Sequence, residues 1–217
     1  MPRPSRLLIA DDAPIVRLGV ATLLHRPPEW RVCGEAGDRA TLLKAVEDLR
    51  PDLVVVDLFL EGSSGLDMIR EIHTQRSSSK VLVYADYDEV LFAERSVRSG
   101  AAGYVMKREP PATLVKAVKH VLKGGIFVTP RATGSLLHRL AGHQEKAPSR
   151  LQPLSDRELE VLRRMGDGFQ SREIAQAMHV SIKTVEAHRE HIKKKLDVGS
   201  GSELLRLAIQ WVRSARK

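Results

Sequence analysis

Leu53-Val54-Val55-Val56-Asp57 is a short, unbroken apolar run, β-branched at three successive positions and closed by a carboxylate. A strand with one wet face alternates apolar and polar residues. A continuous run of this length instead reads as a strand covered on both faces, as in parallel sheets. On the N-terminal side, Arg6-Leu7-Leu8-Ile9-Ala10 has the same character and runs into Asp11-Asp12, and residues 30–36 form a more mixed strand. On the C-terminal side, strands are expected at Lys80–Tyr84 and Ala102–Met106, with Gly100 and Gly103 framing the turn between helix and strand. Amphipathic stretches alternate with them. Helices are expected over Pro14–Leu24, from an Asp38 N-cap to Leu49, over Ser64–Gln75 and Asp88–Ser99, and over Pro111–Lys123, where Gly124-Gly125 stops the chain. Five βα repeats predict an α/β domain with a five-stranded, doubly wound parallel sheet.

Beyond residue 130 the strand signals vanish. Leu136, Leu137 and Leu140 suit one or two helical turns, and Gly142 to Pro153 is polar, Gly- and Pro-containing linker. Ser155-Asp156-Arg157-Glu158 is a capping box opening a helix to about Met165. Further helices are expected at Ser171–Met178, after a Ser181 cap with Val185, Ile192 and Leu196 inward, and over about Ser202–Arg213. The organisation expected is therefore 1–130 α/β, 131–150 linker, and 151–217 as a smaller all-α, four-helix domain.

Bulk properties narrow the partners. The net charge of +8 is uneven: residues 131–217 hold +7 of it. A basic C-terminal third favours a polyanionic partner, nucleic acid first. No apolar run reaches the ~20 residues of a membrane span, and the basic start Met1–Arg6 leads into a strand rather than a signal peptide, so a cytoplasmic protein is expected. The single cysteine, Cys33, excludes an internal disulfide and is expected to be a core thiol.

Chemistry gathers at the strand ends. In an open parallel sheet, ligands bind beyond the carboxyl ends of the strands, where the strand order reverses. Asp11 and Asp12 end the first strand, Asp57 the third and Lys107 the fifth. Clustered carboxylates repel unless a cation shares them, and their hard oxygens suit Mg²⁺. With a phosphoryl donor present, Asp57 is placed to attack phosphorus and Lys107 to pair with the phosphoryl oxygens. One acid at a strand end often only caps a helix. The coincidence of the acidic pair, Asp57 after three valines and Lys107 after Gly103-Tyr104-Val105-Met106 argues against that for the set.

These stretches, with Gly65-Leu66-Asp67 and Gly100-Ala101-Ala102, resemble the receiver domain of response regulators over residues 6–123, which implies a flavodoxin-like fold. The resemblance implies Asp57 as phospho-acceptor, Mg²⁺ held by Asp12, Asp57 and the backbone carbonyl of Phe59 with Asp11 acting mostly through water, Lys107 as phosphate partner, and Tyr104 as the switch aromatic. Two departures stand out. Ala85 occupies the end of the fourth strand, where receivers usually carry a Ser or Thr hydroxyl, and Glu61 stands where a proline commonly follows the phosphorylation loop.

Residues 151–214 resemble the LuxR-type (NarL/FixJ class) DNA-binding domain through Leu154–Leu162, Ser171–Ala175, Val180–His188 and Lys195-Leu196. A short helix, a turn at His179-Val180 and a longer helix form a helix-turn-helix whose second helix enters the major groove. Lys183, Glu186, Ala187, Glu190 and Lys194 share its outer face. Glu186 or Glu190 suits a cytosine amino group, and Ala187 a thymine methyl. Arg172, Lys183, Thr184, Lys193 and Lys194 suit phosphates, whereas Lys195 reads equally as a solvated helix end. His188 and His191 would need Cys or another His nearby to bind metal, so packing or phosphate contact is the expectation.

The two resemblances imply a two-component response regulator. A sensor histidine kinase would phosphorylate Asp57, and the protein would act as a homodimer on double-stranded DNA, with RNA polymerase as a further partner. Two other readings remain at this point. One is a DNA-binding regulator independent of phosphorylation, on account of Ala85. The other is an α/β phosphotransfer or nucleotide-binding enzyme, which the absence of a Gly-rich phosphate loop after the first strand disfavours.

Overall fold

The computed structural model describes residues 3–60, 65–134 and 150–215. The chain divides into two compact units, Met1–His143 and Gln144–Lys217. The expectations for Glu61 and for Leu136, Leu137 and Leu140 lie outside the described residues, as does the start of the third expected helix at Ser64.

In the first unit, β1 (Ser5–Ala10), β2 (Trp30–Ala36), β3 (Leu53–Val56), β4 (Lys80–Ala85) and β5 (Gly103–Met106) form one sheet of order β2-β1-β3-β4-β5, every pair parallel. The helices between them are α1 (Pro14–Leu24), α2 (Arg39–Leu49), α3 (Leu66–Gln75), α4 (Glu89–Arg98) and α5 (Pro111–Leu122). The unbroken apolar runs have the cause anticipated for them. Leu7, Ile9, Val55 and Val105 pack with Val20 and Leu24 of α1 and Val118 and Val121 of α5, while the alternate residues Leu8, Val54, Val56 and Val83 are buried too, so both faces are covered.

Local chemistry sets the helix starts. Asp38 caps α2 in a reciprocal box with Thr41, its Oδ1 accepting from the Thr41 amide at 2.8 Å. Asp88 caps α4, accepting from Val90 N at 3.0 Å. Gly103 lets β5 run close to the chain after α5: a Cβ there would stand 2.5 Å from the Phe127 carbonyl oxygen, the same oxygen that accepts from Tyr104 N. The structure corrects the reading of Cys33 as a core thiol. β2 is an edge strand, its pairing to β1 jumps from Val32 to Gly34, and Cys33 is the skipped residue, half-buried at the irregularity. Partial burial still pushes its thiol pKa up.

The expected linker begins inside the first unit. Residues 130–134 are helical, the Thr129 hydroxyl donates to buried Glu89 at the start of α4, and Arg131 pairs with Asp88 at 3.3 Å.

The second unit has α6 (Asp156–Gly166), α7 (Ser171–Ala177), α8 (Ile182–Leu196) and α9 (Gly201–Ala215). The capping box closes as read: Ser155 Oγ accepts from Glu158 N at 3.3 Å, and Glu158 Oε2 accepts from Ser155 N at 2.6 Å. α9 packs against α6, and α8 against both α6 and α7, around Leu159, Leu162, Ile174, Val185, Ile192 and Leu204, each at most 1% exposed.

Candidate functional site: an acidic pocket and a recognition helix

β1 and β3 are neighbours although α1, β2 and α2 separate them in sequence, and the order reverses there. Because Ala10 is in register with Val56, the residues that follow them, Asp11 and Asp57, come out side by side. Both are buried, at 2% and 8% exposure, while Asp12 is exposed. Lys107 follows β5, two strands beyond β3 and so roughly 10 Å away along the sheet. Its extended side chain crosses that distance, placing Nζ 2.6 Å from Asp11 Oδ2 and 3.0 Å from Asp57 Oδ1.

The other carboxylate oxygens are held from the backbone. Asp11 Oδ1 accepts from Ala13 N and Asp57 Oδ2 from Phe59 N, both at 2.9 Å. Arg17 Nη1 donates to the Asp11 carbonyl at 2.7 Å. Burial works against the Lys107 ammonium, but the carboxylates of Asp57 and Asp11 outweigh it and hold its pKa above the ordinary lysine value. Burial raises the Asp11 pKa, with the Lys107 contact opposing it. The donors fit a hard divalent cation in kind: two buried carboxylates, Asp11 and Asp57, flank one ammonium, and the exposed Asp12 follows Asp11 in the chain.

Ala85 ends β4 with no exposed surface. Its carbonyl accepts from Lys107 N at 2.9 Å, and its side chain offers no hydrogen bond. Tyr84 lies on the opposite face, as strand alternation requires, in a groove with Val16, Val20 and Pro111 that also reaches Lys107. The loop after β4 is tied down from elsewhere. Tyr104, fully buried, donates its hydroxyl to the Tyr87 carbonyl at 2.7 Å. Tyr87 in turn stacks edge-on against Phe59 (4.6 Å between centroids) and Phe92 (5.6 Å). Burial and the neighbouring negative groups push the Tyr104 hydroxyl far above its ordinary pKa.

In the second unit, α7 ends in a turn where His179 adopts a left-handed conformation (φ 54°) and Val180 N donates to the Ala175 carbonyl at 3.0 Å. Ser181 then caps α8, accepting from Thr184 N at 3.0 Å. Lys183, Glu186, Ala187, Glu190 and Lys194 are all exposed along one side of α8, and Arg172 is exposed on α7. Thr184 is half-buried, its hydroxyl 2.8 Å from that of Ser181. Glu190 pairs with Lys193 at 2.8 Å, and Glu186 lies 3.4 Å from Arg189.

Sequence reasoning passed over several residues here. Arg189 donates to Ser171 Oγ at 2.6 Å, bolting the recognition helix to the start of α7; its place beside the inward Val185 and Ile192 was the only available signal. Lys195 is not a free helix end, because its Nζ donates to Glu158 at 2.7 Å. Among the described residues no Cys or third His joins His188 and His191, but a carboxylate, which the sequence reading did not weigh, does. The carboxylate of Glu158, on α6, lies with both rings in a cluster whose ligand atoms are all within 4.8 Å of one another.

The comparisons agree with both halves. The response regulator receiver domain matches residues 7–119, and the LuxR family of bacterial regulatory proteins matches residues 152–208. The oxygen regulatory protein NreC of Staphylococcus carnosus (strain TM300) is 34% identical over 210 residues, spanning 94% of this chain and 97% of that protein. NreC of Staphylococcus haemolyticus is 33% identical over the same shares. Among solved structures, RcsB from Salmonella enterica serovar Typhimurium, bound to promoter rprA in the presence of phosphomimetic BeF3-, superposes with a TM-score of 0.74 at 26% identity, over 94% of this chain and 98% of that one. The response regulator ChrA of a heme-sensing two-component system gives 0.53 at 27% identity, over 98% of this chain and all of that one. None of these matches supports the enzyme reading. The chain belongs to the response regulators that join a receiver domain to a LuxR-type helix-turn-helix, and it is a DNA-binding transcription regulator of a two-component system.

Proposed function

We propose that Asp57 is the phospho-acceptor and that a sensor histidine kinase is its donor. The observation that carries this is Lys107 bridging Asp57 and Asp11 at 3.0 and 2.6 Å: a buried cation beside an acceptor carboxylate, ready to pair with phosphoryl oxygens. An Asp57 oxygen attacks phosphorus, the bond from phosphorus to the donor imidazole nitrogen breaks, and the imidazole leaves. Asp12, Asp57 and the Phe59 carbonyl would hold Mg²⁺, with Asp11 acting mostly through water, and the ion would supply positive charge to offset the incoming phosphoryl group. Lys107 and the Phe59 amide then orient the acyl phosphate, and Tyr104 and Ala85 are the positions where the loop after β4 registers it.

The output is duplex DNA bound by α8 in the major groove. Glu186, Ala187 and Glu190 read bases, while Arg172, Lys183, Thr184, Lys193 and Lys194 hold phosphates. The active form is a homodimer in the cytoplasm, with RNA polymerase as a further partner. Ile15 and Leu18, 74% and 61% exposed on α1, supply the apolar surface for pairing. Incubation with Mg²⁺ and a small phosphodonor should add one phosphoryl group to the wild type and none to Asp57→Asn by intact mass. Equal labelling of the two would overturn the assignment.

A further inference from the structure

We propose that the helix-turn-helix unit carries a Zn²⁺ site formed by Glu158, His188 and His191. The two histidines stand three residues apart on α8, so their rings rise from the same side of the helix, one turn apart. Glu158 meets them from the first turn of α6, and the three potential ligand atoms lie within 4.8 Å of one another. In a tetrahedral zinc site, with metal–nitrogen and metal–oxygen bonds near 2.0–2.2 Å, ligand atoms sit roughly 3.3 Å apart. The remaining gap is one of side-chain torsion. His191 is exposed and His188 half-buried, so both rings can turn, while Glu158 is buried and fixed.

The donors are those the fold leaves over. Both hydrogen bonds to the Glu158 carboxylate, from Ser155 N at 2.6 Å and from Lys195 Nζ at 2.7 Å, fall on Oε2. Among the described residues no hydrogen bond is made to Oε1 or by either imidazole. Two nitrogens and one carboxylate oxygen select a borderline transition ion over Mg²⁺ or Ca²⁺, and three protein ligands leave a fourth position for water. The Lys195 ammonium opposes a cation here, but its side chain is 41% exposed and free to turn into solvent. A bound ion would brace the middle of the recognition helix against α6, with the outer face of Lys183, Ala187 and Lys194 still uncovered. The site is independent of the acidic pocket in the receiver and of its phosphorylation.

The test uses the untagged, full-length protein in excess Mg²⁺, which keeps the receiver carboxylates occupied. Calorimetric titration with Zn²⁺ should show one site, and His191→Ala and His188→Gln should each weaken it by more than about tenfold. Zn²⁺ should shift the imidazole resonances of His188 and His191 and raise the Tm by about 5 °C or more at saturating ion. Because His191 is exposed, its variant folds normally and decides the matter even if His188→Gln does not fold. Equal Zn²⁺ affinity in wild type and His191→Ala, or resonance shifts confined to other histidines, would overturn the proposal.

Discussion

Ala85 and Glu158 show how much one side chain settles. A hydroxyl at position 85 would bond a phosphoryl oxygen, a charge-assisted contact worth about 1.5–3 kcal/mol. Such a contact biases the receiver only if it differs between the two states. Ala85 offers nothing of the kind, and the following loop is held instead by the Tyr104 hydroxyl on the Tyr87 carbonyl. A phosphate analogue should therefore tighten DNA binding by less than about tenfold, or 1.4 kcal/mol, and Ala85→Thr should widen the gap. Dissociation constants with and without the analogue decide it; a hundredfold gain in the wild type would show the hydroxyl to be dispensable. Glu158 has a pH signature. Burial raises its pKa, but the bonds from Lys195 and Ser155 outweigh burial and leave it below the ordinary glutamate value. A folded-state pKa below the unfolded one adds stability that is present above the unfolded value, near 4.3, and is lost as pH falls through the folded value. Glu158→Gln should lower the stability of the second unit at pH 7, where losing a charged cap costs about 1–2 kcal/mol, and the difference should shrink as melts are taken towards pH 3. A constant difference across that range would place its effect elsewhere than in its charge.

At the scale of elements, close approach matters more than propensity. β5 runs beside the segment after α5 because Gly103 has no side chain, and an added Cβ would meet the Phe127 carbonyl at 2.5 Å and Leu82 Cδ1 at 3.0 Å. Backbone cannot yield as a flexible side chain does, so Gly103→Ala should destabilise the first unit by about 1–3 kcal/mol, lowering its Tm by several degrees in calorimetry while the second unit melts unchanged. The same segment leads into Thr129 and Arg131, which hold Glu89 and Asp88 at the start of α4. Thr129→Val keeps the shape but strands a carboxylate that is 3% exposed. Hydrogen exchange should then rise at the N-terminal turn of α4 before it rises in the sheet.

Across the whole molecule, charge is segregated: +7 of the net +8 belongs to residues 131–217. Phosphate contacts release counterions, so log K for DNA should fall linearly with log salt at about 0.9 per neutralised phosphate. Lys183→Ala should weaken binding on every sequence and reduce that slope by about 1, whereas Glu186→Ala should change preference at one base pair and leave the slope alone. Fluorescence anisotropy over a salt series separates the two, and a slope indifferent to Lys183 would remove it from the phosphate contacts.

The order of strands and helices, the strand-end carboxylates and the caps at Asp38, Ser155 and Ser181 were legible in the chain alone. Each rests on periodicity or on a contact within about four residues, and such signals survive without knowledge of the fold. What only the tertiary structure decided involves residues distant in sequence. Lys107 reaches both Asp11 and Asp57 because β1, β3, β4 and β5 lie in that order. Cys33 left the core because β2 is an edge strand that slips register beside it. Arg189 meets Ser171, and Glu158 meets Lys195 and two histidines, because α8 crosses α6 and α7 at close range. No local pattern encodes which residues those crossings bring together, since pairing partners are set by strand order and helix packing rather than by spacing along the chain.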